Sequence, residues 1–166
     1  MYEAHVDWLV QTLGRLGVRP NDRDDLAHDV FVVVHRKFTT FDSMRPVRPW
    51  LFGIAYRVVS EDRRRARHRY EVTASSGVDW ADPRSGLEAQ AAARHRLALV
   101  RAVLDRMSYM RRAVFIMHEF DGFSVPDIAE AVGVPLNTSY SHLRRARQEF
   151  EVAALELGLI EEDDNG

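Results

Sequence analysis

Apolar positions recur at spacings of three and four through most of the chain, with polar residues between them, which is the signature of amphipathic helices. Val6, Leu9, Val10, Leu13 and Leu16 predict a first helix that stops where Gly17 and Pro20 interrupt the pattern. Leu26, Val30, Val33 and Val34 form the stripe of a second helix. Asn21 or Asp22 is its predicted cap, and Asp24 and Asp25 suit its positive N-terminal end. The opposite face carries Asp25, His28, Asp29, Val32, His35 and Arg36. Residues 39–49, punctuated by Pro46 and Pro49, read as a loop. Trp50, Leu51, Ile54, Ala55, Val58 and Val59 then mark a third helix that runs into the basic stretch EDRRRARHR at 61–69.

The period lapses between residues 70 and 85, where Ser75, Ser76, Gly77, Asp79, Asp82, Pro83 and Ser85 dominate, so this stretch is a predicted linker. Helical pattern resumes near Leu87 and continues through Leu97, Val100, Val103 and Leu104. A further segment from Met110 to Phe120 is closed by Asp121 and Gly122. Ser124 is placed to cap a short helix, VPDIAEAV, that Gly133 ends, and Val134 and Pro135 turn the chain into a last helix from Leu136 to about Leu157. The expected fold is all-α: a helical domain over 1–69, the linker over 70–85, a second helical domain over 86–158 and an acidic tail over 159–166.

Composition narrows the class. Among 166 residues there is no cysteine, which excludes disulfide frameworks, cysteine-ligated metals and thiol nucleophiles. No apolar run approaches the roughly 18 residues of a membrane span, so a cytoplasmic protein without membrane insertion is expected. The formal net charge of -2 hides an asymmetry: residues 1–148 hold 23 basic against 18 acidic groups, and the other seven acids lie beyond residue 148. Of the basic residues 22 are Arg, whose planar donor fork matches phosphate and guanine edges.

Two constellations carry candidate chemistry. The first is FSVPDIAEAVGVPLNTSYSHLRRARQEF over 123–150, which fits a helix-turn-helix: Ile128, Ala129, Gly133, Val134 and Leu143 sit where two steeply crossing helices need small or apolar contacts. Asn137, Thr138, Tyr140, Ser141, Arg144, Arg145 and Arg147 are left for the outer side, short polar groups for base edges followed by Arg for phosphates. A helical hairpin with a solvated Arg face is the plain alternative. The second is the run Arg57, Arg63, Arg64, Arg65, Arg67 and Arg69, preceded by Phe38, Phe41, Trp50, Phe52 and Tyr56, a combination suited to single-stranded DNA. Core aromatics beside a solvated helix end would give the same pattern. Catalytic signatures are missing: the seven histidines make no metal spacing, and there is no phosphate loop, dinucleotide fingerprint or nucleophile elbow. Neither an enzyme, a metal site nor a cofactor is expected.

With these residues in view, the chain resembles a sigma factor of the sigma-70 family, of the compact extracytoplasmic-function (ECF, group IV) type. DDLAHDVFVVVHRKF (24–38) is similar to the family's region 2.2, PWLFGIAYRVVSEDRRR (49–65) to regions 2.3 and 2.4, and RRAVFIMHEFDGFSVPDIAEAVGVPLNTSYSHLRRAR (111–147) to regions 4.1 and 4.2. The resemblance implies a bacterial transcription initiation factor that directs core RNA polymerase, through its beta-prime and beta subunits, to promoter DNA. It implies that Asp25, His28, Asp29 and Val32 dock the polymerase. Phe41, Asp42, Ser43, Met44, Arg45 and Trp50 would then hold an extruded minus-10 base, with Tyr56, Arg57, Arg63, Arg64 and Arg67 tracking the strand. Asn137, Thr138, Tyr140, Ser141, Arg144, Arg145 and Arg147 would face the minus-35 duplex. It also implies an anti-sigma partner, and association with the nucleoid when bound to polymerase.

The sequence departs from the family pattern in places. Arg57 stands where Asn is frequent, and Tyr140 and His142 replace two basic positions of the recognition helix. His142 adds charge only below about pH 6.5 at the reference pKa. The competing class is an autonomous helix-turn-helix regulator whose N-terminal half is an effector or dimerisation domain.

Overall fold

The computed structural model describes residues 2–69 and 87–160, which form seven α-helices and no strand. The predicted linker over 70–85 and most of the acidic tail lie outside the described residues.

Helix α1 (Tyr2–Arg15) buries Leu9 and Leu13 completely, with Leu16 just beyond its end. Gly17 closes the turn at φ +96°, a left-handed conformation that favours glycine, while the Val18 N–H donates to the Leu13 carbonyl at 3.0 Å. Helix α2 (Pro20–Lys37) begins earlier than its acidic residues suggest: Arg19 is the extended cap and Pro20 the first helical residue. Proline is favoured there because its missing N–H would be unpaired anyway. Leu26, Ala27, Val30 and Val34 face inward. The expected loop over 39–49 is shorter than its composition implies. A single 3₁₀ turn covers Phe38–Thr40, and helix α3 (Val47–Arg69) starts before Trp50, so that Pro49 sits in its first turn.

In the second half, helix α4 (Leu87–Asp105) buries Val103 and Leu104, while Leu97 stays more than a third exposed. Helix α5 (Tyr109–Phe115) passes into a wider π-type turn over Ile116–Phe120, in which the Asp121 N–H reaches back to the Ile116 carbonyl. Helix α6 (Val125–Val132) is capped as its sequence predicts: Ser124 Oγ accepts from the Asp127 N–H, and Gly133 ends the helix at φ +75°. Ser124→Ala is expected to lower stability by about 1 kcal/mol, read as a shift in the urea midpoint. Helix α7 (Leu136–Glu156) packs on α6, with Ile128 and Leu143 both buried in the core, and on α5, where Phe150 stacks on Phe115 at 4.7 Å.

The two halves do not stand apart. Their buried side chains form one continuous core, and α3 lies directly against α6. Gly53, in the middle of α3, explains how they come so close: a Cβ there would meet the Ala131 carbonyl oxygen at 2.9 Å and its Cα at 3.1 Å. Only hydrogen fits at that point. Polar contacts stitch the rest of the seam. Trp8 Nε1 donates to Asp121 at 2.8 Å, Tyr109 Oη donates to the Tyr56 carbonyl at 3.0 Å, and Arg112 Nε donates to the Arg15 carbonyl at 2.5 Å.

Candidate nucleic-acid interface

The loop between α2 and α3 is built to present side chains. Asp42 folds it locally, its carboxylate accepting from the Met44 N–H at 3.0 Å and its carbonyl from the Arg45 N–H at 3.0 Å. Met44 is thereby held at the tip, 90% exposed. Behind the tip, Phe41 packs on Trp50 with ring centroids 4.6 Å apart. These rings floor a cavity of about 340 Å³ whose walls include Asp42, Arg45 and Arg57, joined by Lys37 and Thr40. Ser43 is exposed beside it. Phe41, Trp50, Arg45 and Arg57, four residues of the predicted aromatic and arginine set, therefore line one concavity.

The remaining residues of that strand-tracking set divide. Arg57 leans back on its own helix, donating to the Gly53 carbonyl at 3.2 Å. Tyr56 turns away from the cavity into the seam, where it stacks on Tyr109 at 5.0 Å with planes 8° apart. The Arg63 guanidinium lies 4.8 Å over the Tyr109 ring, and Arg64 pairs with Glu61 at 2.8 Å on the open surface. Arg63 and Arg67 instead line a second cleft, between α2 and the α4–α5 turn, together with Asp25 and Asp29. Residues assigned separately to polymerase and to DNA thus line the same cleft. His28 is exposed on the same helix and Val32 is half-buried.

On α7, five of the seven predicted residues line one groove: Asn137, Tyr140, Ser141, Arg144 and Arg147, with His118 of the π-type turn opposite. Thr138 and Arg145 lie outside this groove, roughly 100–125° from its centre at 100° per residue. Arg147 is oriented from below, its Nε donating to Glu119 at 2.6 Å. His142 is held below the ordinary imidazole value by burial and then by Arg111 and Arg145, so it is neutral at pH 7 and supplies no charge for DNA.

Several residues of the site were not singled out by sequence. Glu130 pairs with Arg45 through both guanidinium nitrogens and, with Asp127, closes the cavity under the loop from the α6 side. Arg45 in turn holds the Glu130 carboxyl below its usual range. Asp121 is buried between the halves, and desolvation raises its pKa despite the Trp8 hydrogen bond and Arg15 nearby. No local signal in the sequence marks these pairs, because their partners lie 85 and 113 residues apart.

A helix-turn-helix beside a cavity lined by aromatic and arginine side chains is an arrangement used by DNA-binding proteins. Family models make the class specific: Sigma-70 region 2 matches residues 1–69, and Sigma-70, region 4 matches residues 97–150. The chain belongs to the sigma-70 family and is an RNA polymerase sigma factor of the ECF type, which directs the polymerase to promoter DNA. It is 31% identical over 150 residues to the RNA polymerase sigma factor NccH of Alcaligenes xylosoxydans xylosoxydans, covering 89% of this chain and 81% of that one. CnrH of Cupriavidus metallidurans, solved in complex with the cytosolic domain of CnrY, is similar with a TM-score of 0.62 at 25% identity, over 91% of this chain and 82% of that one. The sigma factor RpoE from Bartonella quintana, solved with the anti-sigma factor NepR, shares the fold with a TM-score of 0.74 at 22% identity, over 96% and 95% of the two chains. A match to both sigma regions does not favour the autonomous-regulator reading, in which the N-terminal half would be an effector or dimerisation domain.

Proposed function

We propose that residues 1–69 dock core polymerase and capture the minus-10 strand, that residues 86–158 read the minus-35 duplex, and that binding energy alone drives promoter opening. The observation that carries this reading is the cavity under the loop, where Phe41 and Trp50 offer ring faces and Arg45 and Arg57 offer charge. Extruding a base costs a few kcal/mol, and stacking it on an aromatic ring returns about 1–3 kcal/mol. Base capture therefore offsets much of the unpairing, and the chain needs no catalytic group. Met44, Asp42 and Ser43 form the rim against which the strand bends.

The groove on α7 suits duplex for a different reason. Asn137, Tyr140 and Ser141 offer hydrogen-bonding groups, while Arg144 and Arg147 offer charge for the flanking phosphates. Thr138 and Arg145 are assigned to the adjoining backbone. The polymerase surface is the exposed side of α2, with Asp25, His28 and Asp29 around the half-buried Val32. Reversing charge at Asp29 tests it: Asp29→Arg is expected to weaken co-elution with core polymerase several-fold while leaving helix content unchanged, and undiminished co-elution would remove this assignment.

An anti-sigma partner belongs to the same reading, since RpoE, a protein of the same fold, was solved with one. We also assign the chain to the cytoplasm; no described helix is long and apolar enough to cross a membrane. Recovery of the chain from native lysate with polymerase alone, and with no inhibitor under any growth condition, would contradict the anti-sigma part.

A further inference from the structure

Helix α7 carries an apolar pair that hydrogen bonding and charge leave unused. Leu136 is 44% exposed and Tyr140 is 52% exposed, whereas the apolar residues that anchor this helix, Leu143, Ala146, Ala153 and Ala154, are buried. At 100° per residue Leu136 and Tyr140 stand one turn apart and about 40° from each other around the axis. Arg144 and Arg147 continue the same stripe further along the helix, and Tyr140, Arg144 and Arg147 all line the groove. The first half of the stripe is therefore apolar and the second half cationic. Helix-turn-helix proteins meet base edges with the N-terminal residues of this helix, and phosphates with the flanking cations.

An exposed apolar side chain on a face that meets DNA gains only where the DNA offers apolar surface. In the major groove the base pairs present donors and acceptors, and thymine alone adds a methyl group. Asn137, next to Leu136, carries the amide that pairs with adenine N6 and N7, so an A·T step suits both neighbours. The charge pattern agrees. Residues 136–142 include no Lys, Arg, Asp or Glu, so no guanidinium in this stretch selects guanine. Burial and the nearby Arg111 and Arg145 also keep His142 neutral at pH 7.

We propose that Leu136 and Tyr140 read thymine methyl groups, so that the minus-35 element of this chain's promoters requires thymine beneath these two side chains. This role rests on the promoter reading for the assignment of α7 to the minus-35 duplex, and adds to it the base that the helix selects.

The test uses the full chain on core polymerase. A promoter fragment that the complex retains from genomic DNA has its minus-35 segment randomised and is selected again. The enriched duplex is then rebuilt with deoxyuridine for thymidine in that segment, which removes the methyl group and keeps every hydrogen-bonding group. Thymine is expected to be enriched, and each methyl lost under Leu136 or Tyr140 is expected to weaken retention about fourfold, the worth of burying one such group. Leu136→Ala and Tyr140→Ala are each expected to bind the thymidine duplex more weakly and to become indifferent to uridine at one position, a coupling that a damaged fold does not produce. Tyr140→Arg is expected to lose the preference for thymine and to steepen the dependence of log K on log[salt] by about 0.9, as for one added phosphate contact. Retention unchanged by uridine, or a uridine effect that persists in both alanine variants, overturns the proposal and leaves the promoter reading standing. If the complex selects no duplex at all, the promoter reading falls and this role with it.

Discussion

Replacing Trp50 with Ala is expected to reduce polymerase-dependent transcription by roughly 10–100-fold, the equivalent of one lost base stack of about 1–3 kcal/mol. Trp50 is half-buried and presents its ring to the cavity, with Phe41 4.6 Å away. Without the indole, Phe41 loses its backing and an extruded base meets a widened hollow. The loss falls on strand opening, so permanganate reactivity of the minus-10 region should drop in step with transcript yield. Retention on core polymerase should not change, because the exposed side of α2 is untouched. Trp50→Phe, which keeps a ring at the site, should recover most of the activity. Equal losses in polymerase retention and in opening would show that Trp50 serves the fold and not the strand.

Arg112→Ala is expected to destabilise the closed chain by about 3 kcal/mol, seen as a lower denaturant midpoint. Arg112 is 4% exposed, an unusual position for a guanidinium. Burial lowers its pKa, and its pairing with Asp105 at 2.6 Å opposes that shift. Its Nε satisfies the last carbonyl of α1, and Gly17 leaves room for it, since a Cβ there would lie 3.2 Å from Nη1. Truncation strands the Arg15 carbonyl and opens a cavity where the two halves meet. Arg112→Met, which refills the volume without the charge, should lose less, because an apolar isostere removes the desolvation penalty along with the pairing. If Met and Ala variants unfold alike, the hydrogen bond to Arg15 and not the volume is what holds the seam.

Much of this architecture was legible as pattern. The spacing of Leu9, Leu13 and Leu16, or of Leu26, Val30 and Val34, places an inward stripe on a helix without further information, and these residues are buried. Ser124 and Gly133 announce the ends of α6 because capping and left-handed backbone are local events. Asn137, Tyr140, Ser141, Arg144 and Arg147 fall on one groove for the same reason: their spacing is the helical period.

What pattern could not carry was the partner of each polar side chain. Arg45 reads as a loop arginine until Glu130 lies against it, and nothing in the first helix's stripe singles out Trp8, whose indole N–H donates to Asp121. Tyr56 reads as a strand contact because it sits beside Arg57, yet three residues after Gly53 it has rotated into the seam and meets Tyr109. Gly53 carries no signal in the helical pattern, and the Ala131 backbone explains it. Each of these depends on which half of the chain comes to rest on the other, information absent from any single window of sequence.

The most direct measurement of the central claim is transcription in vitro with bacterial core polymerase on a pool of genomic promoter fragments, with and without the chain. Discrete transcripts that require both core and chain, and that are lost with Trp50→Ala, are the predicted result. A chain that protects a specific duplex on its own and yields no new transcript with core would contradict it.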